Sequence, residues 1–164
     1  MKEINFVKSE AIFSEDKKYR YELIRVWDNS KPKIGFVALN PSIADETEND
    51  PTIWKLVRSA DGWGYGGIVI VNLFALVTSS PEAMKVASEP IGKENDKHLV
   101  KMSKAKDVDK IVAVWGDDGA HLGRADQVKK MFSQLWALKI SESGQPRHPR
   151  FLKSDVEPFL WVQK

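Results

Sequence analysis

Cysteine is absent from the 164 residues. Its absence excludes a disulfide framework, a thiolate metal site and a cysteine nucleophile. Histidine is scarce too: His98, His121 and His148 stand far apart and form neither an HxH nor an HExxH pair. A metal enzyme would have to rely mainly on carboxylates, so neither a metal nor a cofactor is expected. No apolar run approaches the roughly 18 to 20 residues that a membrane span needs, and "MKEINFVKSE" lacks the apolar centre of a signal peptide. A cytoplasmic protein with no membrane partner is expected. A net charge of +2 does not by itself imply a polyanionic partner. Repeats and low-complexity tracts are missing as well.

What is present is the composition of an ordinary globular protein, with 42% hydrophobic and 29% charged residues. The length suits one domain over 1–164 with a core of its own. Charge is unevenly distributed. Pro41 to Asp50 holds Asp45, Glu46, Glu48 and Asp50 and no base, whereas bases outnumber acids from Lys97 to Lys130 and from Lys139 onward. The basic half permits a phosphate-facing surface, although a lysine-rich helix face is more often simply solvated.

Along the chain, "AIFSEDKKYRYELIRVWD" reads as an antiparallel hairpin around the polar turn "SEDKK". Three short, nearly continuous apolar runs follow, "IGFVALN", "IVIVNLF" and "KIVAVWG", as expected of parallel strands covered on both faces. Between the first two, Asp50 and Pro51 have the residue types of an N-cap and a first helical position. Ile53, Leu56, Val57 and Ala60 then recur at helical spacing. A lysine-rich helix is expected from Lys93 to Lys106. A second buried helix face is expected through Val128, Met131, Phe132, Leu135 and Trp136, with a strand at "ALKIS" and an apolar patch "FLWV" at the end. The fold class is α/β: a three-layer α/β/α sandwich with a short parallel sheet, decorated by the N-terminal antiparallel hairpin.

In such sheets ligands bind beyond the carboxyl ends of the strands, where strand order reverses. That rule selects "LNPS", "NLFA", "WGDDG" and the "QPRHP" turn. The tempting G-x-G-x-x-G in "GWGYGG" closes a helix and opens a strand, the reverse of a dinucleotide site, so it reads as a helix terminus. Asn40 ends the first core strand. Its amide can accept from one group and donate to another, which suits a nucleobase edge or a held water, or it can simply bond the turn that Pro41 fixes. Asn72 has the same two readings. Asp45 is a candidate general base, while Asp50 is better explained as an N-cap. One of Asp117 and Asp118 is expected to cap the helix after "WG". His148, in a turn between two prolines, can stabilise an anion or shuttle a proton; Arg147 and Arg150 beside it can contact phosphate, and Trp54 and Trp63 can stack on a base or serve as packing.

Taken together, "LNPSIAD", "DPTI", "IVNLFALVTSSP", "PIGKEND", "VAVWG" and "SGQPRHP" resemble, in that order, an uncharacterised bacterial and phage family known only as a domain of unknown function. The resemblance runs from about Ala11 to Leu160. A more remote one is to the uracil-DNA glycosylase superfamily, whose strand-end motifs of the GLNPG, T-N-x-x-K-C, L-G-x-x-A and H-P-S types are matched in order by "ALNPS", "VNLFA", "VWGDDGA" and "RHPRF". It implies a three-layer sandwich and a metal-independent N-glycosidase. Asn40 would hold the attacking water or polarise the base, Pro41 and Ser42 would line the pocket, Asn72 would form its floor, and His148 would stabilise the departing base anion. The partner implied is a nucleobase, nucleotide or DNA. Ser42 and Arg150 stand where that superfamily has a glycine and a serine, which motivates the rival expectation of a base-binding module without turnover. A carboxylate-metal phosphoesterase built around Asp45 is the third.

Overall fold

A computed structural model describes residues 2–153 and 155–164 of the chain. Seven strands form one mixed sheet in the order β1-β2-β4-β3-β5-β6-β7. They are β1 (Lys8–Phe13), β2 (Arg20–Val26), β3 (Lys33–Ala38), β4 (Gly67–Asn72), β5 (Val108–Ala113), β6 (Gln134–Ala137) and β7 (Phe159–Gln163). Strands β4, β3, β5 and β6 run parallel, and antiparallel partners flank them on both sides. The N-terminal hairpin is therefore not a decoration. It extends the sheet, because β2 pairs with β4 as well as with β1.

The helices are α1 (Pro51–Gly62), α2 (Pro81–Val86), α3 (Asn95–Ser103) and α4 (Arg124–Lys129). Helix α1 starts as its sequence dictates: Asp50 accepts from the Ile53 amide at 2.8 Å, and Pro51 follows at a position that lacks an intrahelical partner in any case. It ends where Gly64 takes a φ of +94°, conformational freedom that only glycine has cheaply.

Side-chain alternation divides the core in two. Ile34, Phe36, Ile68 and Ile70 join Ile53, Leu56, Val57 and Ala60 of α1. The odd-numbered neighbours Val37, Val69 and Val71 instead join Met84, Leu99, Met102 and Val128 from α2, α3 and α4. This double coverage is why β3 and β4 are continuous apolar runs.

The C-terminal third corrects two expectations. Residues 128–136 do not form one helix: α4 stops at Lys129, and Leu135 and Trp136 belong to β6, four residues before the strand expected at "ALKIS" would end. Val128, Phe132 and Leu135 are all buried, so the helical spacing was real as burial but false as periodicity. Short apolar runs carry that ambiguity. The expected cap at Asp117 or Asp118 is also absent. Gly116 precedes the 3-10 turn Asp117–Gly123; the Asp117 carboxylate accepts from Ser141 and Ser143, both at 2.6 Å, and Asp118 pairs with Lys85 at 2.5 Å. The lysine-rich helix is shorter than expected, Asn95–Ser103.

Candidate functional site at the carboxyl edge of the sheet

The connection from β3 runs through α1 to β4 on one side, and the chain then returns past β3 to β5 on the other. Strand order thus reverses between β3 and β5, and in open α/β sheets such a reversal marks the strand-end crevice at which ligands bind. The loop after β3 contributes Asn40, Pro41, Ser42 and Asp50. The Asn40 Nδ2 group donates to the carbonyls of Pro41 and Thr78, each at 3.2 Å. Two carbonyl acceptors fix which end of the amide is nitrogen, so Oδ1 is the end left to receive a proton donor. Ser42 donates to Asp50 Oδ2 at 2.5 Å, and the other oxygen of Asp50 caps α1.

From the other side, His148 precedes a 3-10 turn, Pro149–Phe151. Its Cβ stands 4.0 Å from where a side chain at Gly116, just after β5, would begin. The Nδ1 atom accepts from the Arg150 amide at 3.2 Å, which leaves the ring proton on Nε2. Burial pushes the imidazole down to about 4, Arg150 adds to the shift, and the Asp50 carboxylate opposes it. At neutral pH His148 is therefore an uncharged donor. The opposing effect of Asp50 also places His148 within electrostatic reach of the β3 loop.

Asn72 lies at the end of β4, only 1% exposed, with neither atom of its amide partnered among the described residues. Burying such an amide without a partner costs about 1–3 kcal/mol by mutational measures. Its position follows the register of Ile68 and Ile70, which puts it on the α1 face. Arg20, at the start of β2, is 2% exposed and spans to the Ala44 carbonyl at 2.6 Å through an Nη1–H donor, but its Nε is unpartnered. Burial lowers its guanidinium to about 10 against the countering charge of Asp50.

Sequence reasoning missed Arg20. A charged residue in a hairpin is normally solvent-facing, and the signal would have been the second role of β2 as an interior strand, every residue of which is buried. Arg25 shares that origin. It donates to Asn49 Oδ1 at 2.8 Å and to the carbonyls of Glu10, Ile24, Asp45 and Glu48. The acidic loop is thereby folded by its backbone carbonyls around a buried cation.

Asp45, Trp54 and Arg147 each have partners of their own. Asp45 Oδ1 accepts from the amides of Glu48 and Thr47, which closes its own turn and holds its carboxylate below the usual range. Trp54 packs on Phe6 with ring centroids 5.4 Å apart and lies under Arg58. The Arg147 amide donates to the Lys139 carbonyl at 2.8 Å, and its charge helps to lower Asp117. No group of three or more His, Asp or Glu residues among those described is gathered as a metal would require.

A cavity of about 700 Å³ opens elsewhere, between the hairpin turn and the start of α3. Tyr19, Tyr21 and His98 line it as three near-parallel rings. Behind His98, the buried carboxylate of Glu22 is paired twice, with His98 at 2.5 Å and with Lys101 at 3.2 Å. This cavity offers volume, whereas the strand ends offer buried polar atoms without a partner among the described residues.

No helix among the described residues is long and apolar enough to cross a membrane. No curated protein and no solved structure matches the chain. Residues 20–150, which hold β2 through the His148 turn, match the model of a family described as "Protein of unknown function (DUF1643)", and the chain belongs to that family.

Proposed function

We propose that the protein hydrolyses an N-glycosidic bond of a nucleotide or nucleic-acid base, on a three-layer α/β/α sandwich of uracil-DNA-glycosylase type. What supports this reading is that the chain segments on the two sides of the strand-order reversal carry an amide whose nitrogen is spent on carbonyls and a histidine held neutral at pH 7. Asn40 Oδ1 accepts from a water and holds it against the anomeric carbon. Electrons of the C–N bond pass to the base as it leaves, the water oxygen bonds to the sugar, and its proton goes to solvent or to the departing base. His148 donates from Nε2 to the negative charge that develops on the base. A neutral donor suits this role, since it stabilises the anion without itself carrying a charge into the buried site.

Pro41 sets the turn that aims Asn40. Ser42, tied to Asp50, lines the pocket, and Asn72 forms its floor. In this reading Trp54 and Arg147 would contact a passing nucleic-acid strand, and Asp45 closes the turn of the loop after β3.

The test is mass spectrometry of wild-type and Asn40→Ala protein incubated with oligonucleotides carrying uracil, mismatched thymine or modified pyrimidines, with and without EDTA. Free base from the wild type alone, indifferent to EDTA, is the expected result. Release abolished by EDTA, or equal release by both proteins, contradicts the mechanism. The absence of any release shifts the account to a base-binding module, a reading that one observation favours: both N–H groups of Asn40 are already spent on backbone carbonyls.

A further inference from the structure

The cavity of about 700 Å³ between the hairpin turn and the start of α3 has the size of a small-molecule site, for which about 300–1,000 Å³ is usual. Its aromatic wall is fixed in place. Tyr21 stacks with both Tyr19 and His98, at 6.4 and 4.9 Å between ring centroids and within 6° and 3° of parallel. Each ring is held at its polar end: the Tyr19 hydroxyl donates to the Glu89 carbonyl at 2.7 Å, the Tyr21 hydroxyl accepts from the Glu94 amide at 3.5 Å, and His98 Nδ1 meets Glu22 at 2.5 Å. Gly92, at a φ of +92°, lies so close that a Cβ there would stand 2.9 Å from Tyr19 Cδ1 and 3.2 Å from Tyr21 Cε1. A wall arranged before any ligand arrives lowers the ordering cost of binding.

Carboxylates predominate in the rest of the lining. Glu15 and Asp16 come from the hairpin turn and Glu94 from the start of α3, so acids approach the cavity from two elements against one lining lysine, Lys93. Glu15 is exposed and makes no hydrogen bond or ion pair with a described residue. Asp16 accepts through Oδ1, from the Ser14 hydroxyl at 2.7 Å and the Lys18 amide at 3.0 Å, and these bonds hold its carboxyl below the usual range. Glu94 pairs through Oε2 with Lys97 at 2.6 Å, which lowers it likewise. Asp16 and Glu94 are therefore ionised at neutral pH, each with a second oxygen to offer. His98 adds no uncompensated charge, because Glu22 faces it. Lys17 places its ammonium 5.1 Å from the centre of the Phe13 ring, so one aromatic residue of the lining already holds a cation. Among the described residues no acids gather around one point as a metal ion would require.

We propose that this cavity binds a linear aliphatic diamine, with one ammonium group on Glu15 and Asp16, the other on Glu94, and the methylene chain along Phe13, Tyr19 and Tyr21. An ammonium has donors and no acceptor, which matches a lining whose unused groups are mainly acceptors. Aromatic faces attract a cation, and the methylene groups leave water on contact with the rings. An anion would meet an excess of like charge. The site is separate from the strand-end chemistry, and neither depends on the other.

Calorimetric titration of the wild type with cadaverine, pentylamine, pentanediol and glutarate tests this. Cadaverine should bind most tightly, pentylamine roughly tenfold less tightly for want of the second ammonium, and pentanediol and glutarate not at all. The double variant Glu15→Gln, Glu94→Gln should bind cadaverine roughly tenfold more weakly than wild type while retaining its circular dichroism spectrum. In NMR spectra of the wild type, the ring protons of Tyr19, Tyr21 and His98 should shift as cadaverine is added. No binding of cadaverine, equal binding of any of the other three compounds, an unchanged affinity in the double variant, or shifts that spare these rings overturns the proposal. Should the double variant fail to fold, Glu15→Gln alone decides, since Glu15 supports no contact within the protein: weaker cadaverine binding supports the site, and unchanged affinity overturns it.

Discussion

Two buried polar clusters lie on opposite faces of the same sheet, and they are built to different ends. On the α3 face, Glu22 is 4% exposed and its carboxylate is held by His98 and Lys101. On the α1 face, Arg20 and Asn72 are at least as deeply buried and keep three polar atoms unpaired. A paired cluster repays its own desolvation and can stand as architecture, whereas an unpaired one is stable only with something added. The cluster beside the open cavity is thus satisfied as it stands, whereas the one at the strand ends keeps donors and an acceptor without a partner among the described residues.

The largest effect that would break this contrast comes from Arg25, whose guanidinium is bonded at all three nitrogens, whereas the Nε of Arg20 is not. Arg25→Ala leaves the Asp45 carbonyl and the Asn49 side-chain oxygen without their donor and the Glu48 carbonyl with only the Asp45 amide, and should lower stability by about 3–5 kcal/mol, since several charge-assisted hydrogen bonds are lost at once. Thermal unfolding followed by circular dichroism measures it. A shift close to zero would mean that the acidic loop does not depend on the cation. Asn72→Leu should act in the opposite direction. Replacing an unpaired buried amide by an apolar side chain of similar volume should stabilise the free protein by roughly 1–3 kcal/mol while abolishing nucleoside binding. A destabilised variant would indicate that the amide is already satisfied.

Glu22→Gln sharpens the comparison from the other side. It should lower stability by about 1–2 kcal/mol, because His98 and Lys101 lose a charged partner, without changing uridine binding. A loss of binding would return the functional weight to the cavity of Tyr19 and Tyr21. The last effect concerns pH. His148 sits below its usual 6.5, at about 4, so between those values the unfolded chain binds the proton and the folded one does not. Stability therefore falls as pH drops from 6.5 toward 4, and His148→Gln should flatten that part of the profile. A profile unchanged by the substitution would place the histidine in solvent.

Much of the scaffold was legible in the sequence because it is written in local patterns. The spacing of Ile53, Leu56, Val57 and Ala60, the Asp50–Pro51 start and the apolar runs of β3, β4 and β5 each carry their own signal. The misreadings arose where burial came from long-range pairing. Leu135 and Trp136 keep helical spacing from Val128, yet β6 is specified by its neighbours β5 and β7 rather than by its own four residues. The strand-end positions Asn40, Asn72 and His148 could be nominated from the rule about carboxyl edges, since that rule needs only strand order. Arg20 could not. Its significance depends on β2 lying beside β4, a contact between segments some fifty residues apart that no local pattern encodes. Asp45, singled out for its charge, instead uses its carboxylate to close a turn.

The most direct test sets the two clusters against each other in one assay: free-base release from uracil-containing oligonucleotides by wild type, Asn72→Leu and Glu22→Gln, followed by mass spectrometry. The account predicts release by wild type and Glu22→Gln and none by Asn72→Leu, although Asn72→Leu should be the more stable of the two variants. Release by Asn72→Leu together with its loss in Glu22→Gln would contradict it and move the chemistry to the opposite face of the sheet.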